Sequence, residues 1–186
     1  MLEALVHALA TGDQNLYGHL RRHGFDLDRS ELVGGWPDLP AMPVCCPDLA
    51  PSIHFLGRLD HARLRHLFPC ADLAVFPSVV PEAYPLVLME ALANVVLPVV
   101  SDFSGFREGL DALEGPLGRE WVERMRLPAT GSRRVETIAA KLDALLADPA
   151  LPDLKPRLRA LAVQRYDWRI RAAEMVRAYE RFRSSI

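Results

Sequence analysis

Glu82 and Glu90 stand with seven residues between them in Glu82-Ala-Tyr-Pro-Leu-Val-Leu-Met-Glu90, flanked by the strand-like runs Leu73-Ala-Val-Phe76 and Leu97-Pro-Val-Val100. Pro85 suits the first position of a helix, which leaves Glu82 in the loop before it and Glu90 inside, about one turn deep at ~1.5 Å of rise per residue. A helix that starts from the carboxyl end of a strand offers unpaired N–H groups and a partial positive charge, which suit a phosphate. An acid one turn further in can accept hydrogen bonds from the two hydroxyls of a ribose. The pattern fits a pocket for a nucleoside diphosphate carrying a sugar. Spacing alone also admits a plainer account, in which Glu82 complements the helix dipole and Glu90 is solvated.

The elements that must position these acids are legible around them. Leu73 to Phe76 is continuously apolar, as a fully buried parallel strand would be. Within the helix, Leu86, Met89 and Ala93 share one face by three- and four-residue spacing and are expected on the sheet, with Glu90 off that stripe. Upstream, Met1 to Ala10 and Gln14 to His23 have helical patterns, Leu32-Val33 is a short apolar piece, and five prolines between Pro37 and Pro51 predict a surface loop. Asp60 can cap a helix from His61 to Phe68. After Val100 no further strand is evident, and 105–113, 118–125, 135–146, 155–166 and 168–182 all read as helix. Val135, Ile138, Leu142 and Leu145 form one stripe and Ala172, Met175, Tyr179 and Phe182 another, both expected in core or interface.

Composition narrows the class. The chain has 186 residues, half of them hydrophobic, which fits one core-bearing domain spanning 1–186, with a Pro-rich loop at 37–51 and a helical tail at 133–186. A net charge of -2 gives no basic footprint for nucleic acid. No apolar run approaches the ~18 residues of a membrane span, and no secretory segment opens the chain, so a cytoplasmic location is expected. Three cysteines, two of them adjacent at Cys45 and Cys46, make neither a disulfide framework nor a zinc motif. His54, His61 and His66 lack the i, i+4 spacing of paired metal ligands, so no metal and no cofactor is expected.

The string Ala71-Asp-Leu-Ala-Val-Phe-Pro-Ser78, Pro81-Glu-Ala-Tyr-Pro-Leu-Val-Leu-Met-Glu-Ala-Leu-Ala93, Leu97-Pro-Val-Val-Ser101 and Ser104-Gly-Phe-Arg-Glu108 resembles the nucleotide-sugar half of the group 1, or family 4, retaining glycosyltransferases. Ile53-His-Phe-Leu-Gly57 looks like that family's strand and turn beside the base, and Tyr166-Asp-Trp168 like the start of its last helix. The resemblance is close over 53–110 and holds in outline elsewhere. It implies an α/β fold, a Rossmann-like parallel sheet flanked by helices that forms the C-terminal half of a GT-B enzyme, with a helical tail. By the same resemblance Glu82 contacts the donor sugar and Glu90 the ribose. The main chain of Tyr84, Pro85, Leu86 and Val87 meets the diphosphate, and Arg58 and Leu59 pack on the base. The implied reaction moves a hexose from a nucleoside diphosphate to an acceptor hydroxyl with retention. The nucleotide-sugar donor is then the expected partner, together with an N-terminal acceptor domain, supplied separately or missing here. The alternative is a non-catalytic nucleotide-sugar-binding or structural remnant.

Departures from the family pattern bear on that choice. Pro85 has no N–H to give. Asn94-Val95-Val96 stands where the family writes a glycine, so a left-handed turn there is expected to strain Val95 by about 1 kcal/mol. Ser104-Gly105 replaces a pair of glycines. The arginine and lysine with which the family's donor half grips the phosphates are not found.

Overall fold

The computed structural model describes residues 2–23, 47–131 and 133–184. The chain forms two compact units, Met1–Leu59 and Asp60–Ile186. Leu32-Val33, Cys45 and Cys46 lie outside the described residues, as does most of the proline-rich stretch.

In the first unit α1 (Leu2–Thr11) packs on α2 (Gln14–His23) and on the short α3 (Leu49–Ser52). Val6, Ala8 and Tyr17 are buried. Gly12 turns the chain with φ 75°, letting the Asp13 N–H reach the Ala8 carbonyl at 3.1 Å, and Asp13 in turn caps α2 through the Leu16 N–H at 2.9 Å. Ile53 to Gly57, expected as a strand and turn, is a correction: Gly57 does turn left-handed at φ 61°, but the segment before it pairs with no strand among the described residues. A strand exists only by virtue of a neighbour, and apolar Phe55 and Leu56 remain exposed.

The second unit begins with Asp60, whose carboxylate accepts from the Arg63 N–H at 2.8 Å and starts α4 (His61–Leu67) as expected. Three parallel strands follow: β1 (Leu73–Phe76), β2 (Leu97–Ser101) and β3 (Arg126–Leu127), in the order β1-β2-β3. β1 crosses to β2 through α5 (Leu86–Ala93), and β2 to β3 through α6 (Ser104–Asp111), α7 (Glu114–Leu117) and α8 (Arg119–Met125). Then come α9 (Arg134–Leu146), α10 (Leu151–Tyr166) and α11 (Trp168–Arg183).

Pro98 sits in the central strand because its missing N–H falls on the β3 side, where pairing starts only at Val100. The neighbouring Leu97 N–H points the other way, to Asp72. β2 is buried throughout, whereas β1 is buried only at Ala74. The expectation of a fully buried β1 is corrected: among the described residues β1 pairs on one side only.

The core joins Leu88 and Leu92 of α5, Leu97, Val99 and Val100 of β2, Phe106 and Leu110 of α6, and Leu154 and Leu158 of α10. On α5 the packing face is Leu88, Met89, Ala91 and Leu92, and Leu86 of the expected stripe is exposed. The helix is apolar nearly all round, so periodicity could not choose its inner face. Three arginines of α10 fasten the ends of other helices: Arg159 donates to Ala93 at the end of α5, Arg165 to Ala112 after α6, and Arg157 to Pro116 and Leu117 of α7. Cations at helix C-termini are favoured by the dipole. In α9 Leu145 is buried and Ile138 and Leu142 pack on the core, but Val135 is exposed. Met175, Tyr179 and Phe182 of α11 are exposed rather than core among the described residues.

Candidate donor site at the carboxyl edge of the sheet

The loop after β1 carries Glu82 to the start of α5. Pro85 is the N-cap, not the first helical residue, with φ -76° and ψ 103°, and its carbonyl accepts from Leu88 at 3.2 Å. No side chain caps this helix, and the N–H groups of Tyr84, Leu86 and Val87 have no partner among the described residues. The positive end of the α5 dipole is therefore left open at the carboxyl edge of a parallel sheet, the position where ligands bind in such folds. Glu90 lies one turn in and is half-buried, and neither its carboxylate nor that of half-buried Glu82 has a cation or hydrogen-bond donor in the described protein.

What fixes Glu82 comes from the first turn of α6, just after the next strand. Its carbonyl accepts from the Gly105 N–H at 2.8 Å and from the Ser104 hydroxyl at 2.6 Å, so the loop before α5 caps the first turn of α6. The approach is so close that a Cβ on Gly105 would lie 2.4 Å from the Ala83 oxygen and 2.5 Å from that of Glu82. Glycine is obligatory here because only a bare Cα lets the two backbones meet. Ser104, with φ 54°, adopts the left-handed conformation a glycine would take freely, and its hydroxyl bond to Glu82 offsets part of that cost.

Val95 is also left-handed, at φ 67°. It occupies the turn position of a Schellman motif, in which Val96 donates to Ala91 at 3.0 Å and Val95 to Leu92 at 3.1 Å. The strain expected at that corner is present.

Two arginines absent from the sequence expectations flank the strand ends. Arg126 of β3 is nearly buried and surrounded by acids: Asp102 at 2.7 Å, Asp111 at 2.6 Å, Glu114 at 2.9 Å and Glu123 at 3.3 Å. Burial opposes its charge, but the bonds to Asp111, Asp102 and Glu114 outweigh it and hold the guanidinium protonated well above its ordinary range. Asp102 also accepts from Arg107 at 3.2 Å, so the segment between β2 and α6 is pinned from both sides.

Arg134, the first residue of α9, donates from Nε to Pro128 at 2.8 Å and from Nη2 to Pro77 at 2.7 Å and the Ser101 hydroxyl at 3.4 Å. It thus ties together the ends of β3, β1 and β2. A signal for it exists in the sequence: a cation in the first turn of a helix runs against the dipole and has to be held there by something else.

Tyr84 lines a cavity of about 410 Å³ together with Met89, Glu108, Arg165 and Tyr166. Burial, and then the neighbouring Tyr84, raises the pKa of the Tyr166 phenol. The Tyr166-Asp-Trp168 motif also supplies the cap of α11, since Asp167 accepts from the Arg169 N–H at 2.8 Å. Arg58 and Leu59 close the first unit and are both away from regular structure. No group of acids, histidines and cysteines able to hold a metal occurs among the described residues.

A Rossmann-like parallel sheet flanked by helices defines the class of fold, and the sequence places this chain in a family. Residues 48–160 match Glycosyl transferases group 1, and the chain belongs to that family. Among curated proteins it is similar to phosphatidyl-myo-inositol mannosyltransferase of Mycobacterium leprae, 33% identical over 132 residues, which are 71% of this chain and 32% of that protein. It is 32% identical over 149 residues to the enzyme of that name from Mycolicibacterium smegmatis, covering 80% of this chain and 36% of the relative. The Mycobacterium tuberculosis protein of the same name is 31% identical over 150 residues, 80% of this chain and 38% of the relative. The chain thus spans about a third of the length of the curated relatives it matches.

Proposed function

We propose that this domain binds a nucleoside-diphosphate sugar and presents it for retaining transfer of a hexose to an acceptor hydroxyl, the acceptor domain being supplied by another stretch of protein. The names of the relatives point to mannose as the sugar and to an inositol lipid as the acceptor. The observation that carries this reading is the pair of half-buried, unpartnered acids Glu82 and Glu90 framing the open amides of α5, with Glu82 held from behind by Gly105. On this reading the amides of Tyr84, Leu86 and Val87 stabilise the charge of the departing diphosphate, Glu82 orients the sugar, and Glu90 accepts from the ribose. Arg58 and Leu59 are proposed to pack on the base. No helix among the described residues is long and apolar enough to cross a membrane.

Titration of the chain with UDP, GDP and ADP and with their sugars, followed by calorimetry, tests binding and base preference together. Glu90→Ala is expected to weaken nucleotide affinity. Glu82→Ala is expected to abolish transfer once an acceptor domain is supplied, with nucleotide affinity largely kept. Parental transfer rates in both variants would contradict the assignment.

A further inference from the structure

Arg134 has a charge that no carboxylate among the described residues neutralises. Its three acceptors are the Pro77 and Pro128 carbonyls and the Ser101 hydroxyl, all uncharged, and no carboxylate lies within ion-pair distance of it among the described residues. Glu136, in the same first turn of α9, makes no ion pair with it. Of the five N–H donors of a guanidinium, one on Nε and two on Nη2 are used, which leaves the two on Nη1.

The location gives that charge a purpose. The guanidinium is held against the carboxyl ends of all three strands, half-buried, where attraction to an anion is screened less than in open water. Ser101, one of its partners, is three residues before Ser104, whose hydroxyl holds the Glu82 carbonyl. The N-terminal ends of α9 and α5 add partial positive charge of the same sign. Holding a cation at the start of a helix costs stability, which a neutral donor at the same place would avoid. Its neighbour Arg126 needs no ligand, being neutralised by four carboxylates.

We propose that Arg134 supplies a cation to the donor site, its two remaining Nη1 donors meeting oxygens of a pyrophosphate group that also rests on the α5 amides. The proposal rests on the donor-site assignment above but names a residue outside the motif that led to it.

The test uses inorganic pyrophosphate and nucleoside diphosphates in parallel, with the parent chain, Arg134→Gln and Arg134→Lys. Glutamine can still donate to one strand-end oxygen but has no charge; lysine restores the charge without the fork. Pyrophosphate affinity is expected to fall by about tenfold or more in Arg134→Gln and by less in Arg134→Lys. Thermal melting confirms that each variant is folded, and if the glutamine variant is not, the lysine variant alone has to show weaker pyrophosphate binding. Equal affinity in a folded variant and the parent overturns the proposal while leaving the donor-site assignment standing. Pyrophosphate binding that depends on Arg134 in a chain that takes no nucleoside diphosphate supports the proposal and removes the donor-site assignment. A parent chain that does not bind pyrophosphate overturns the proposal outright.

Discussion

Two helices start from the carboxyl ends of adjacent strands in this domain, and their first turns are treated in opposite ways. α6 begins against the loop that holds Glu82, and the Glu82 carbonyl takes both the Gly105 N–H and the Ser104 hydroxyl. α5 begins at Pro85 with no side-chain cap and with the amides of Leu86 and Val87 unspent. Three other helices close their starts with a side chain: Asp13 caps α2, Asp60 caps α4 and Asp167 caps α11. A mouth left without hydrogen-bond partners costs stability, and on the proposed reading a bound anion supplies them. The closed helix has a role in the same site, because it fixes the glutamate of the open one.

Filling the closed contact should break this contrast most severely. Gly105→Ala puts a methyl group where two carbonyl oxygens already lie, so the Glu82 loop has to move. The expected destabilisation is about 3 kcal/mol, with nucleotide binding lost as well, read by thermal melting and calorimetry. An alanine variant that melts and binds as the parent does would show that α6 does not position Glu82.

A smaller change of opposite sign is expected at the far end of α5. The α1 helix ends on Gly12 in the same kind of left-handed turn that α5 makes with Val95. Val95→Gly is expected to stabilise the fold by about 1 kcal/mol, since relief of the β-branched strain exceeds the added chain entropy. Denaturant unfolding gives the sign. Unchanged nucleotide affinity would show that the strain is local to the corner.

The smallest effect concerns a capped start. The Arg169 side chain, and then its N–H, hold the Asp167 carboxyl below the ordinary value of 3.8. A carboxyl depressed by folding contributes stability above its unfolded value, and that contribution is lost as the pH falls through the folded one. In Asp167→Asn the cap geometry survives without the charge. Helicity of α11 by circular dichroism should therefore differ slightly from the parent at neutral pH and converge with it well below pH 4. A difference that persists in acid would point to a lost contact rather than a lost charge.

How much of this could be read from the residues depends on how local each cause is. β1, β2 and α5 declared themselves through apolar runs, and the Asp60 cap through a single side chain. Pro85 was displaced by one position because proline suits both the cap and the first turn. β3 escaped because a two-residue strand has no period; it is made by Val100 and Ser101 beside it. The stripe on α11 has helical spacing whether or not anything covers it, so spacing could not say that Met175, Tyr179 and Phe182 would be exposed. Ser104-Gly105 was visible as a departure, but its use was not: only the folded chain brings residues 82 and 105 into contact. Arg134 is conspicuous as a cation in the first turn of a helix, but its acceptors, 57 and 33 residues away, are set only by the fold.

The open mouth of α5 can be tested directly by following backbone amide resonances of the ¹⁵N-labelled chain during titration with a nucleoside diphosphate. The account predicts that the Tyr84, Leu86 and Val87 amides move most, while that of Gly105, already bonded to Glu82, stays close to its free position. Saturable binding that leaves those three amides in place and shifts resonances elsewhere would contradict it.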